Sequence, residues 1–179
     1  MDTRSEKTVR VVLETPCPAH EAAFLAAARR SRGLHRPWVA APSDSRAFRE
    51  FTEKPASGRD LSFLIMTPEG GMAGVINLNE IVRGVFKNAY LGYYAFLPYA
   101  GGGYMSAGLL AVIRRAFGPL RLHRLEANIQ PENRASIALV RRLGFRREGM
   151  SPRYLKIGGR WRDHERWAMN VEDFKGGHR

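Results

Sequence analysis

Cysteine is almost missing from this chain: Cys17 is the single one in 179 residues. One thiol excludes an internal disulfide framework and fits a reducing compartment. Cys17 has no metal-ligand partner close by in sequence, so it reads as a small residue near a strand end. Long apolar runs are missing too. None approaches the roughly 20 residues needed to cross a bilayer. Met1-Asp2-Thr3-Arg4-Ser5-Glu6-Lys7 lacks the apolar core of a signal peptide. A cytoplasmic protein with no membrane partner is expected. Repeats, linkers and low-complexity stretches are also missing. The expected organisation is therefore one domain over residues 1–174, with 175–179 as a flexible tail.

Acidic residues are scarce beside basic ones: 17 Asp and Glu face 29 Lys and Arg, a formal net charge of +12. Such a surplus favours anionic partners, among them nucleotide phosphates, RNA or an RNA-rich assembly. The arginines are scattered, with small clusters at Arg29-Arg30-Ser31-Arg32, Arg141-Arg142 and Arg146-Arg147. Charge therefore speaks for an anionic ligand more than for direct RNA binding. With 44% hydrophobic and 26% charged residues the rest is ordinary for a globular domain. A chain of this length buries roughly two-thirds of its unfolded surface.

The stretch from Tyr90 to Met105 organises the rest. An aromatic run of strand character stops at Pro98, three glycines follow (Gly101, Gly102, Gly103), and Met105, Leu109, Val112, Ile113 and Ala116 then fall at helical spacing. Strand, glycine loop and helix can hold a phosphate: glycines admit an anion to backbone N–H groups, and the first helical turn adds unpaired donors. The same glycines could form a simple turn.

Taken in order, the chain predicts a strand over 8–14 and an alanine-rich helix from Pro18 through Ala28, stopped by Gly33. Leu34 to Trp38 reads as a loop. Ser43 or Asp44 caps a second helix reaching Glu53, closed by Pro55 and Gly58. Strands over Leu61–Met66 and Met72–Leu78 flank a hairpin turn, and Asn79 to Lys87 is a connection. A strand from Ala89 to Phe96, the glycine loop, a helix to Phe117 and a strand over Arg124–Ile129 follow. A short helix from Pro131 to Leu143 ends at Gly144. A closing hairpin turns at Gly158-Gly159. About seven strands and four helices result, an α/β (α+β) chain with a mainly antiparallel sheet and helices on both faces.

Three separated elements of this chain resemble the GCN5-related N-acetyltransferase (GNAT) superfamily. They are the glycine loop Pro98 to Gly103, Asn133-Arg134-Ala135-Ser136 with Leu143-Gly144-Phe145, and Gly159 to His164. Within the superfamily, Asn77 through Val171 resembles the RimJ/RimL type, which acetylates the N-terminal amine of ribosomal proteins. Val82-Arg83-Gly84, Tyr90 to Tyr93 and Trp161-Arg162-Asp163-His164 carry that likeness, and Trp38 after Pro37 resembles an early loop of the type. The resemblance implies a GNAT fold whose fourth strand bulges and splays from the fifth, with acetyl-CoA as cofactor and no metal. It implies acetyl transfer to a protein N-terminal amine, plausibly on a ribosomal protein. The alternative acceptors are a small amine, such as an antibiotic, polyamine or amino acid, or a lysine. A reading of another class is a basic ribosome-associated binding protein. The oligomeric state stays open between monomer and homodimer.

Residue by residue, the resemblance puts cofactor contacts on Tyr94, Ala95, Phe96 and Leu97 of the splayed strand, on Gly101, Gly102, Gly103 and Tyr104 of the loop, and on Asn133 and Ser136. Pro98 stands where a basic or amide side chain is usual, which removes one side-chain contact and leaves the backbone cradle. The tyrosine many members carry beside the leaving thiolate is Val140 here, so Ser136 is the candidate for that position, or else a helix cap. The acidic residue usual before Tyr-Leu is Arg153. Glu126, a carboxylate in an apolar strand, is the candidate base or else an ion-pair partner, with Asp163 and His164 in reserve. Trp38, Tyr93 and Trp161 are candidates for the acceptor groove, or for the core.

Overall fold

The computed structural model describes residues 9–54 and 58–175. One sheet runs in the order β1-β2-β3-β4-β5-β7-β6. Its strands are β1 (Val12–Glu14), β2 (Leu61–Met66), β3 (Met72–Val82), β4 (Asn88–Ala95), β5 (Arg124–Ile129), β6 (Arg146–Ile157) and β7 (Arg160–Asn170). All neighbours are antiparallel except the pair β4 and β5. The helices are α1 (Glu21–Arg30), α2 (Arg32–His35), α3 (Ser45–Glu53), α4 (Tyr104–Phe117) and α5 (Arg134–Arg142). The mixed, mainly antiparallel seven-stranded sheet read from the sequence is the one observed.

Strand alternation sorts the core into two layers. Phe63 and Ile65 of β2 pack with Leu109, Val112 and Ile113 of α4 and Val140 of α5. Leu64 and Met66 face the other way, into Phe24 of α1 and Phe48 and Phe51 of α3. A strand covered on both faces carries no polar alternation, which is why Phe63 to Met66 of β2 is an unbroken apolar run. The Phe24 ring lies 4.9 Å from Phe48, 5.4 Å from Phe96 and 5.5 Å from Phe51. Each such ring, once buried, contributes about 1.5–3 kcal/mol, so this layer fastens α1 and α3 to the sheet. Gly108 lets α4 settle onto β2: a Cβ there would stand 2.9 Å from Ile65 Cδ1.

Several boundaries differ from expectation, each for a tertiary reason. Thr8, Pro55 and residues 176–179 lie outside the described residues, and the first strand is the three residues of β1. The first helix opens with a 3-10 turn at Pro18–His20. The chain then passes Gly33 as a further helical turn, so Leu34 and His35 are helical and not loop. A helical glycine costs about 1 kcal/mol. The bonds from His35 N–H to Ser31 O (3.0 Å) and from His35 Nε2–H to Ala95 O (2.8 Å) offset it. β3 runs past Leu78 to Val82 because a bulge between Asn79 and Val82 restores its pairing with β4. The second helix starts as read, with Ala47 N–H donating to Asp44 Oδ1 at 2.8 Å.

Candidate active site

The parallel pair β4–β5 is bonded only over Asn88–Leu91 against Arg124–Ala127. Beyond Leu91 and Ala127 the two strands part. β4 keeps its register with β3 from Tyr90 to Ala95, so the opening lies between β4 and β5 alone. β4 shows no register shift against β3 from Tyr90 to Ala95, unlike the bulge that the resemblance implies; the shift in this pair lies between Asn79 and Val82 of β3, where Glu80 takes a φ of 49°.

The far end of β4 is held by helices. Phe96 N–H donates to Ala73 O of β3 at 2.8 Å. Peptide groups alternate along a strand, so the Ala95 carbonyl and the Leu97 N–H turn to the opposite side, where β5 would have paired with them. They meet the α1–α2 corner instead. His35 Nε2–H donates to Ala95 O at 2.8 Å, and Leu97 N–H donates to Ser31 Oγ at 2.9 Å. Ser31 Oγ in turn donates to Ala27 O at 2.8 Å. Buried peptide groups rarely go unpaired, so this corner satisfies the strand end without closing the opening. Burial pushes the His35 imidazole below its ordinary value, against the opposing bond to Ala95.

A cavity of about 470 Å³ runs through the opening. On the α4–α5 side its wall includes Tyr93, Asn133 and Ser136. Asn133 Oδ1 accepts the Ser136 N–H at 3.2 Å and so caps α5. Capping thus uses the Ser136 backbone, and the Ser136 hydroxyl meets Tyr93 OH at 2.5 Å. Burial pushes the Tyr93 phenol up to about 12, the bond to Ser136 pulling part of the way back. The pair therefore stays protonated near neutrality.

Leu125, Ala127 and Ile129 of β5 belong to the α4–α5 core, so Asn128 faces the opposite side, where Trp38, Tyr90, Tyr154 and His164 complete the wall. Tyr154 and Leu155 are consecutive yet both line the cavity, because the β6–β7 register breaks between Ser151 and Leu155. Arg153 takes a φ of 49° at this bulge, and its N–H donates to Asp163 Oδ1 at 2.7 Å. His164, 3% exposed, has Nδ1 2.9 Å from Arg162 O. A carbonyl only accepts, so Nδ1 carries a proton and Nε2 is the ring nitrogen left to exchange one with the cavity.

At the end of the sheet, Gly101 and Gly103 take φ values of 82° and 85°. A Cβ on Gly102 would stand 3.2 Å from Tyr99 O. The first bond into α4 is Ala107 N–H to Gly103 O, at 3.1 Å. The N–H groups of Tyr104, Met105 and Ser106 thus have no helical acceptor, the arrangement that receives an anion. Among the described residues no group of three or more His, Cys, Asp or Glu side chains could hold a metal.

The family model for the acetyltransferase (GNAT) domain matches residues 10–146. The chain belongs to this family. It is 40% identical over 109 residues to the [ribosomal protein uS5]-alanine N-acetyltransferase of Escherichia coli, across 61% of this chain and 56% of that protein. It is 32% identical over 126 residues to the probable N-acetyltransferase YjcK of Bacillus subtilis, across 69% and 70% of the two chains. The structure of Mycobacterium smegmatis RimJ in complex with CoA-disulfide superimposes with a TM-score of 0.85 at 27% identity, covering 93% of this chain and 87% of that one. This GNAT chain is an acetyl-CoA-dependent N-acetyltransferase, and the open β4–β5 pair and the glycine cradle fit that cofactor.

The GNAT chain brings Trp38, Tyr93, Asn133 and Ser136 to one cavity, and Tyr93, expected in the acceptor groove, stands beside Ser136 on the α4–α5 side. Others lie elsewhere. Tyr94 points its ring into the α1–α3 core and its peptide groups toward β3, and Phe96 is buried in the same core. Of the stretch Tyr94 to Leu97, only Ala95 and Leu97 turn main-chain groups toward the opening. Trp161 is 61% exposed and pairs across the hairpin with Lys156, on the face away from Leu155 and Ile157, which line the cavity. Glu126 is outside the lining: its carboxylate accepts from Arg124 Nε at 3.0 Å and Arg166 Nη2 at 2.9 Å. Burial pushes that carboxyl up, but the two guanidiniums outweigh it and hold it below the usual range. Arg166 lies 5.8 Å over the Tyr154 ring, so Glu126 supports the wall from behind. Ser31, His35, Asn128 and Tyr154 went unread in the sequence. No local pattern marks them, since register and bulges bring them in.

Among the described residues no helix is long and apolar enough to cross a membrane.

Proposed function

We propose that this enzyme acetylates the N-terminal α-amine of a protein, with a ribosomal protein as the first class of acceptor to test. The observation that carries the reading is a cavity passing through the sheet, with the Tyr93–Ser136 pair on one side and His164 on the other. A chain end can enter from the His164 side while the cofactor occupies the α4–α5 side. The 40% identity to a uS5-alanine N-acetyltransferase supports the same choice.

When bound, acetyl-CoA supplies an activated thioester. Gly101 to Gly103 and the first N–H groups of α4 would hold its diphosphate, and the main chain of Tyr93 and Ala95 and the Asn133 amide would hold its pantetheine arm. Ser136, hydrogen-bonded to Tyr93, donates to the sulfur side of the reaction. His164 Nε2 takes the proton of the arriving ammonium. An α-amine titrates near ~8 and is partly neutral at about pH 7, so the demand on this base is modest. Glu126, held by two arginines, serves the wall and not the proton transfer.

Thiol release decides the matter with three acceptors: an alanine-initiated peptide, the same peptide N-acetylated but carrying a lysine, and spermidine. Turnover of the free N-terminus alone is expected. Activity confined to spermidine or to the blocked lysine peptide would overturn the reading.

A further inference from the structure

We propose that the acceptor is a protein whose chain is acidic a few residues beyond the reacting amine. The inference rests on the N-terminal acceptor reading above. It comes from the side chains that extend the acceptor wall outward. His164 lines the cavity, and Arg162 and Arg160 follow it on the same face of β7, two and four residues nearer the hairpin tip. Their cross-strand partners agree, for Leu155 opposite Arg162 and Ile157 opposite Arg160 are both cavity-lining. Both arginines are exposed. Neither joins an ion pair among the described residues. Asp163, next to Arg162 in sequence, faces away and holds the Arg153 N–H.

The opposite rim offers no compensating charge. Among the described residues that line the cavity the only carboxylate is Glu80, and Arg59 Nη2 holds it at 2.6 Å. Below the wall, Glu126 is likewise held by Arg124 and Arg166. An incoming ammonium therefore meets no free carboxylate among the described lining residues, and the rest of the acceptor runs past Arg162 and Arg160. Four strand residues span about 13 Å, which an extended peptide covers in about four residues. Acidic side chains at about the third to fifth positions would thus face Arg162 and Arg160, where carboxylates can be gripped in bidentate fashion.

The test uses two alanine-initiated peptides, one with Glu at positions three to five and one with Lys there. At low salt the Glu peptide is expected to have a kcat/KM about tenfold higher, the gap shrinking severalfold at about 0.5 M salt. Arg160→Glu with Arg162→Glu should reverse the preference while CoA affinity by calorimetry stays at the wild-type value. Arg160→Ala with Arg162→Ala, a milder change should the reversal not fold, should bring the two peptides to within about twofold. Equal turnover of both peptides by wild type at low salt, or an unchanged ratio in the folded double variants, overturns the acidic preference alone. Transfer to small amines with no turnover of either peptide overturns the N-terminal reading itself, and this inference with it.

Discussion

The two sides of the β4–β5 opening are built from different materials. On the cofactor side, the working groups are mostly main chain: the cradle at Gly101 to Gly103, the start of α4, and the turned-out peptide groups of β4. On the acceptor side they are side chains drawn from four separate segments, Trp38, Tyr90, Tyr154 and His164. A backbone site tolerates change in side chains but not in φ and ψ. A side-chain site is set by register, so one inserted residue can re-aim it, as the β6 bulge does for Tyr154.

The comparison breaks hardest at the cradle. Gly103 has a φ of 85°, and a Cβ there would stand 3.1 Å from Val9 Cγ2. Gly103→Val forces a β-branched residue into that conformation, strain of order 1–3 kcal/mol, and blocks an anion's approach. CoA affinity by calorimetry is expected to fall on the order of a hundredfold. An affinity within threefold of wild type would remove the diphosphate from this loop.

Side chains at the reacting centre come next. Tyr93→Phe and Ser136→Ala should each lower kcat about 10- to 100-fold with less change in CoA affinity. His164→Gln should act on the same scale near pH 7. Its defect should shrink as pH rises past ~8, because the acceptor then arrives already neutral. A defect constant from about pH 7 to 9.5 would mean that His164 orients the wall and moves no proton.

The helix corner is a smaller lever, and it joins the two sides. Ser31→Ala or His35→Phe leaves buried peptide groups of β4 without partners, which invites β5 to take them. The KM for acetyl-CoA should rise about tenfold. His35→Gln, which keeps an N–H donor, should recover most of the loss. His35 also carries a pH signature. Its folded pKa lies below the ordinary 6.5, so its share of stability is full above that value and is lost as pH falls through the folded pKa. Thermal melts from about pH 8 to 5 should show that slope in wild type and not in His35→Phe.

These contrasts explain what could be read in advance. The glycine run, the cap at Asp44 and the apolar periodicities are local signals, and α3 and α4 lie where expected, while α5 starts at Arg134 behind its cap Asn133 and not at Pro131. Ser136 was legible as a candidate because it follows a motif of a known superfamily, whereas Tyr93 was expected in the acceptor groove and stands beside Ser136 on the other side. His35 was not: Leu34 to Trp38 has weak helical character, and only a contact 60 residues away in sequence gives His35 its place. Tyr154 depends on Arg153 in a left-handed conformation, which no propensity foretells. The stretch around Tyr94 misled by one residue. A strand's two sides differ by a single step, and only the β3 register tells which peptide groups face the opening.

Glu126 offers the finest distinction between the sides, because its location and its chemistry point in different directions. A carboxylate inside an apolar strand invites the role of base, yet this one is 6% exposed and already receives two guanidiniums. To accept a proton it would have to give up both ion pairs. Its folded pKa is held below the ordinary 4.5, so its stabilisation is present above that value and lost as pH falls through the folded pKa. Glu126→Gln should therefore cost about 1–3 kcal/mol of stability at pH 7, a difference that fades in acid. Its kcat/KM should stay within about threefold of wild type, with an unchanged pH profile. A loss of about 10²-fold or more in kcat, together with a vanished acidic limb, would hand the proton to Glu126 and leave His164 as part of the wall.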